Sequence, residues 1–300
     1  MMLKAWKRIG THLDRRKKAA FLGDLQRRGF PAALVCPTTY LVTRRADAQT
    51  VRVSAAAEAR RAEIAATPGE PIEIIYSPKP GSARNCERPA EGARLLFSYD
   101  RVAHTGKDAK WCTFLLLCAR ESRARTVVEL GACAGISAYY LASAPSVERL
   151  VTVEGSAALA AIARETLRPV ADRADVHNGL FDDALDRLLP GLGEVDFAYI
   201  DGHHESVATM HYFRRMKPRL AKGAWVLFDD ISWSSDMRDG WNAIVAMPGF
   251  SHCVDYGTVG VCLWSGEDTV GRVWDLRSIS GHTAIGSPHG WGLDAGSVAD

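Results

Sequence analysis

The sequence predicts an α/β protein built on a doubly wound, mostly parallel sheet, with a C-terminal antiparallel strand pair and an N-terminal extension of helical and irregular chain. Three observations carry this. From Ala109 onward, short apolar runs alternate with stretches of helical length, the rhythm of βαβ units. Two of the runs break off abruptly in acidic residues: Val195, Phe197, Tyr199 and Ile200 lead into Asp201, and residues 224–228 lead into Asp229 and Asp230. Such runs read as strands buried on both faces of a parallel sheet. A third run, residues 127–130, enters a turn of small residues, Gly131-Ala132-Cys133-Ala134-Gly135, that opens a helix.

In order, the first hundred residues lack this rhythm: 31–36 and 71–76 read as short strands, 55–66 as a helix, and 77–92, with three prolines and two glycines, as a linker or lid. Then follow a helix at 108–123, a strand at 126–130, a helix at 135–143 and a strand at 149–154. A helix from a Ser156 cap through Leu167 comes next, with a short strand at 174–177 and a helix at 181–188. The two acid-tipped strands flank a helix at 205–220. After a helix at 237–247, residues 251–256 and 258–264, separated by Gly257, read as the closing antiparallel pair. From Ser265 the chain is rich in Gly and Ser and reads as loosely ordered. The units are therefore an extension at 1–94, a core domain at 95–265 and a tail at 266–300.

Three hundred residues, 47% of them hydrophobic, can bury a full core. The net charge of +2 hides an asymmetry, since residues 1–30 hold nine basic residues against two acidic ones and leave the remainder net negative. This leader could touch phosphate or an anionic membrane. It reads more simply as a solvated helix with an apolar stripe (Leu3, Trp6, Ile9, Leu13, Phe21, Leu25), and no nucleic-acid partner is expected. No apolar run of about 7–15 residues follows the basic start, as a secretory signal requires. None approaches the roughly 18 residues of a membrane span. Seven cysteines without a C-x-x-C pair form neither a zinc motif nor a disulfide framework, so reduced thiols and a cytoplasmic location are expected.

In open α/β sheets the ligand crevice lies outside the carboxyl ends of the strands. If the two acid-tipped strands are neighbours, about 4.8 Å apart, Asp201, Asp229, Asp230, His203 and His204 converge on one small volume. That is an arrangement for binding a hard cation and moving a proton. The turn after residue 130 lets backbone approach a ligand and aims helix-terminal N–H groups at it. Glu154 closes the next strand, where a ribose-binding carboxylate belongs. The dinucleotide fingerprint fails, because Cys133 and Ile136 stand where its second and third glycines should be. A pyrophosphate needs those glycines, so NAD is disfavoured.

These residues resemble the class I S-adenosylmethionine-dependent methyltransferases, a Rossmann-like family in which the first strand ends E-x-G-x-G-x-G. Glu129, Gly131 and Gly135 match, with Cys133 replacing the middle glycine. The resemblance implies that the loop, Ala132 included, wraps the methionine part of the cofactor. It further implies that Glu154 and Gly155 hold the ribose, and that Asn178 and Gly179 flank the adenine. It is closer still to the metal-dependent O-methyltransferases related to the catechol and macrolide-sugar enzymes. In that branch one strand ends in Asp with the base three positions later, and the next ends in Asp-Asp or Asp-Asn. Here that implies Asp201, Asp229 and Asp230 as metal ligands, with Asp201 also reaching the cofactor, and His204 as base. The resemblance covers about residues 95–265.

Methyl transfer from a sulfonium is a displacement, for which an alcohol at neutral pH is a poor nucleophile. A divalent ion lowers the pKa of a bound hydroxyl. Three carboxylates without thiolate suit a hard ion, most simply Mg²⁺, and histidine can take a proton near neutrality. The expectation is thus metal-assisted O-methylation of a hydroxylated small molecule, such as a sugar or vicinal diol, by a monomer or homo-oligomer. Three rivals remain: a metal-independent N- or O-methyltransferase, a metal enzyme of another reaction such as hydroxylation, and a lipid- or RNA-binding adaptor with a relict cofactor fold. Trp233 and Trp241, framing the segment after the second acid-tipped strand, read equally as pocket residues and as residues buried against the sheet. His104 and Lys107, before the first core helix, could face the cofactor or acceptor but read more simply as a solvated loop, and Glu205 reads as a first-turn helix residue rather than a ligand.

Overall fold

The structure is a computed structural model that describes residue 17 and residues 20–75 and 94–280. The expectations for the start of the basic leader, for the linker at 77–92 and for the end of the tail lie outside these residues. A two-stranded antiparallel sheet joins β1 (Ile72–Ile75) to β2 (Arg94–Phe97). The second sheet has eight strands. Five are parallel neighbours: β3 (Thr126–Leu130), β4 (Arg149–Glu154), β5 (Ala174–Asn178), β6 (Val195–Ile200) and β7 (Leu220–Phe228). β8 (Phe250–Asp255) and β9 (Gly260–Trp264) form the expected antiparallel pair, with β9 also antiparallel to β7. β10 (Arg272–Asp275) adds parallel to β8, giving the order β10-β8-β9-β7-β6-β3-β4-β5. The α/β class and the mostly parallel sheet are as the sequence predicts.

Alternate side chains of the central strands enter two apolar clusters on opposite faces. Phe197 and Tyr199 of β6 join one, and Ala198 and Ile200 the other. This double burial is why the strands are apolar throughout. The first face is covered in part by α1 (Ala32–Thr43), α2 (Ala48–Ala65), α3 (Tyr99–Thr105), α4 (Ala109–Glu121) and α5 (Ile136–Ala142). Beside β5 runs α6 (Ala157–Leu167). The second face carries α7 (Phe181–Leu192), α8 (Ser206–Met216) and α9 (Ser235–Val245). Side-chain caps start several helices: Asp108 accepts from Trp111 N at 2.9 Å, Ser156 from Leu159 N at 3.4 Å and Ser234 from Met237 N at 3.1 Å.

Two expectations are corrected. Residues 31–36 form no strand: they open α1, which runs through Pro37. Leu34, Thr38, Leu41 and Val42 are buried at helical spacing, and Thr38 Oγ1 lies 2.5 Å from Tyr256 Oη, so tertiary packing outweighs the proline. The tail is not loose from Ser265, because β10 carries Trp274, buried edge-on against Phe30 at 5.3 Å, and α10 (Arg277–Ser280) follows it with Ile279 in the core. The extension thereby packs on the same core as the sheet. Leu22, Leu25 and Phe30 belong to that cluster.

Candidate active site

The strand order reverses beside β3: β4 and β5 lie to one side, β6 and β7 to the other. The crevice of a doubly wound sheet opens at such a switch point. Here Gly131, after β3, meets Asp201, after β6. Gly131 has φ +104°, and a Cβ there would lie 1.8 Å from the Asp201 carbonyl oxygen, so no other residue fits. Gly135, at φ +78°, leaves only 2.9 Å between a hypothetical Cβ and Ala163 Cα. Cys133, in place of the family's middle glycine, keeps a left-handed backbone at φ +45°.

Glu154 is fixed by two backbone donors: Cys133 N gives to Oε2 at 2.8 Å and Ser156 N to Oε1 at 2.9 Å. Burial raises its pKa and these amides oppose the rise. Beneath the loop, Glu129 accepts from Thr152 Oγ1 at 2.5 Å through Oε2, while its buried Oε1 has no hydrogen-bond partner. Burial pushes the Glu129 carboxyl up to about 7. Gly131, Ala132, Cys133 and Asp201 line a pocket together with Arg61 and Lys107. Glu129, Gly135, Glu154, Gly155, Asn178 and Gly179 are not among its lining residues. Asn178 Nδ2 donates to the carbonyls of Glu154 at 2.9 Å and Gly155 at 3.0 Å.

β6 and β7 are neighbours with Ile200 opposite Phe228, and Asp229 N donates to Ile200 O at 2.9 Å. Asp201, Asp229 and Asp230 therefore do converge. Burial pushes Asp201 up to about 6 against the lowering pull of Lys107, and Tyr199 Oη donates to Asp201 Oδ2 at 3.1 Å. Burial, and then the charge of Asp201, raises Asp229 well above the usual carboxylate range; its Oδ1 is buried without a partner. His204 stands between two of them, Nε2 3.8 Å from Asp201 Oδ1 and Nδ1 3.7 Å from Asp230 Oδ2, with its ring stacked on Trp233 at 5.8 Å. His203 faces elsewhere: its Nδ1 lies 2.5 Å from Tyr212 Oη and its ring stacks on that tyrosine. His203, His204 and Asp230 all have positive φ (68°, 42° and 50°), a concentration of backbone strain at the strand ends.

The expectation of a solvated Lys107 is overturned. Its side chain is 14% exposed, with Nζ 2.6 Å from Asp230 Oδ1 and 3.0 Å from Asp229 Oδ2. The neighbouring carboxylates hold its ammonium charged against the pull of burial. Arg61 of α2, unremarked in the sequence, donates from Nη2 to Lys107 O at 2.7 Å and from Nη1 to Ala103 O at 2.6 Å, fixing the lysine's backbone. A lone lysine before a helix carries no local signal of partners more than 120 residues away. His104 stays exposed beside Asp100, as expected. Trp233 faces the crevice, whereas Trp241 is buried against Phe228. Glu205 is buried at the N-cap position of α8.

The residues fit S-adenosylmethionine: the small-residue turn at Gly131–Ala134 lines a pocket, and a carboxylate fixed by backbone amides stands at the end of β4. They do not fit a divalent ion as they stand. The oxygen chemistry suits one, but the Lys107 ammonium lies between Asp229 and Asp230. Among the described residues no group of three or more His, Cys, Asp or Glu side chains is disposed to hold a metal.

This fold carries a methyltransferase domain, as read from the sequence. Residues 128–231 match the family described as a methyltransferase domain, bearing out the resemblance read from the sequence. No curated protein matches the chain. Among solved structures, similarity extends to an O-methyltransferase from Bacillus cereus in complex with SAH (22% identity, 54% of this chain and 83% of that one, TM-score 0.48). It extends also to the O-methyltransferase TomG from Streptomyces achromogenes, involved in tomaymycin synthesis and in complex with SAM (24%, 54% and 82%, TM-score 0.46). A third is cofactor-bound Rv0187 from MTB (22%, 74% and 92%, TM-score 0.48). No described helix is long and apolar enough to cross a membrane.

Proposed function

We propose that the chain methylates a hydroxyl of a small molecule, with residues 95–265 as the transfer unit and the N-terminal extension helping to select the acceptor. The observation that supports this most is His204, held at the strand ends between Asp201 and Asp230, with Asp201 itself lining the pocket beside Gly131–Cys133. Bound S-adenosylmethionine supplies an electrophilic methyl group on a sulfonium. Glu154, fixed by the amides of Cys133 and Ser156, accepts from the ribose hydroxyls, and the Gly131–Gly135 turn surrounds the methionine end. His204 takes the proton of the acceptor hydroxyl as its oxygen gains the methyl group, and Asp201 and Asp230 stabilise the imidazolium. Tyr199 and Trp233 orient this pair by hydrogen bond and by stacking.

A second reading is metal-assisted transfer, in which Asp201, Asp229 and Asp230 would have to give up Lys107 to hold a divalent ion. Incubation with a panel of hydroxylated and amine-bearing metabolites, with product mass as readout and with or without chelator, tests both. The proposal expects a gain of one CH₂ on a hydroxyl compound. Methylation of amines alone would contradict it, and loss of activity in chelator would favour the second reading.

A further inference from the structure

The ammonium among the acidic residues is a built feature. Lys107 is held from behind by Arg61, whose side chain is 8% exposed and whose Nη2 and Nη1 bind Lys107 O and Ala103 O. The lysine's own Nζ reaches Asp229, 1% exposed at the side chain, and Asp230, 17% exposed. Arg61 comes from the N-terminal extension and Lys107 precedes α4, so neither belongs to the stretch matched by the methyltransferase domain family. Magnesium needs oxygen ligands at about 2.0–2.1 Å in near-octahedral order. An ion drawing on Asp229 Oδ2 and Asp230 Oδ1 would have to displace the ammonium that holds both, or sit beside a like charge.

Resting on the methyl-transfer reading above, we propose that Lys107 is the resident cation of this site. Its ammonium ties Asp229 to Asp230, takes the place a divalent ion would need, and offers its remaining N–H to the acceptor oxygen. An ammonium has three donors and no capacity to chelate. The acceptor is therefore a compound presenting a single reactive hydroxyl, and a vicinal diol has no advantage. During transfer the hydroxyl proton passes to His204, the C–O bond forms, and the C–S bond breaks with its electron pair left on sulfur.

The test is titration of the full chain with Mn²⁺ alone, followed by electron paramagnetic resonance, for the parent, Lys107→Met and Lys107→Arg. Lys107→Met keeps the length and removes the charge. The parent and Lys107→Arg should show no saturable Mn²⁺ binding over the titrated range, whereas Lys107→Met should bind saturably, at a concentration at least about ten-fold below the top of that range, since the like charge is gone. Saturable binding to the parent that Asp229→Asn removes would overturn the proposal. So would a Lys107→Met protein that gains no affinity while keeping the parent's far-UV circular dichroism and cooperative unfolding, which control for folding. Because the readout is metal binding, failure to find a methylated product bears on the methyl-transfer reading and leaves this result standing.

Discussion

Glu129 carries a pH dependence that can be worked from the structure. Its carboxyl is fully buried, has one oxygen without a partner, and is pushed from an ordinary value of 4.5 up to about 7 by burial, against the hydrogen bond from Thr152. Between those two values the unfolded chain has released the proton and the native chain still holds it. The native state then binds more protons, and stability falls as pH rises. The contribution is intact below about pH 4.5, is lost progressively up to about 7, and is constant above. Each unit of displacement is worth about 1.4 kcal/mol, so the change between pH 5 and pH 8 is about 2.5 kcal/mol. In Glu129→Gln this titration is absent. Denaturant unfolding of parent and variant at pH 5 and pH 8 should show the variant gaining on the parent by about that amount at the higher pH, whatever its absolute stability. Parallel pH curves for the two proteins would refute the buried, raised carboxyl.

The other predictions concern the loop and the strand ends. Gly131→Ala should fail to bind S-adenosylhomocysteine and lose stability, because its methyl would collide with the Asp201 carbonyl; unfolding midpoints and calorimetry read both. His204→Ala should lose about 10²–10⁴-fold in turnover with cofactor affinity nearly unchanged. His203→Ala, which removes the bond to Tyr212, should lower thermal stability more than turnover; the opposite pattern would exchange the two roles. Arg61→Met, freeing the carbonyls of Ala103 and Lys107, should destabilise the fold by about 3 kcal/mol. Equal unfolding midpoints would contradict the clamp.

What the sequence could convey followed the range of its signals. The strands at 126–130 and 149–154 were legible to the residue, since apolar runs ending in Gly131 and Glu154 mark their own limits. The acid-tipped strands were legible as strands, and their adjacency is what the structure adds. Helix α1 was hidden because Pro31 and Pro37 bracket Leu34–Cys36, and only burial against the sheet reveals the helical spacing. Strand β10 was hidden by Gly and Ser around four residues whose place is set by Trp274 meeting Phe30, over 240 positions away. Lys107 was misread for the same reason: its environment is made of residues remote in sequence, with Arg61 on one side and Asp229 and Asp230 on the other.

The central claim is that the β3–β4 strand ends take S-adenosylmethionine through Glu154. Calorimetric titration of S-adenosylhomocysteine into the parent and into Glu154→Ala tests it directly. Losing the acceptor of the ribose hydroxyls should cost about 1.5–3 kcal/mol, roughly ten- to a hundred-fold in affinity. Equal affinity in the two proteins, or no binding to the parent, would contradict the account.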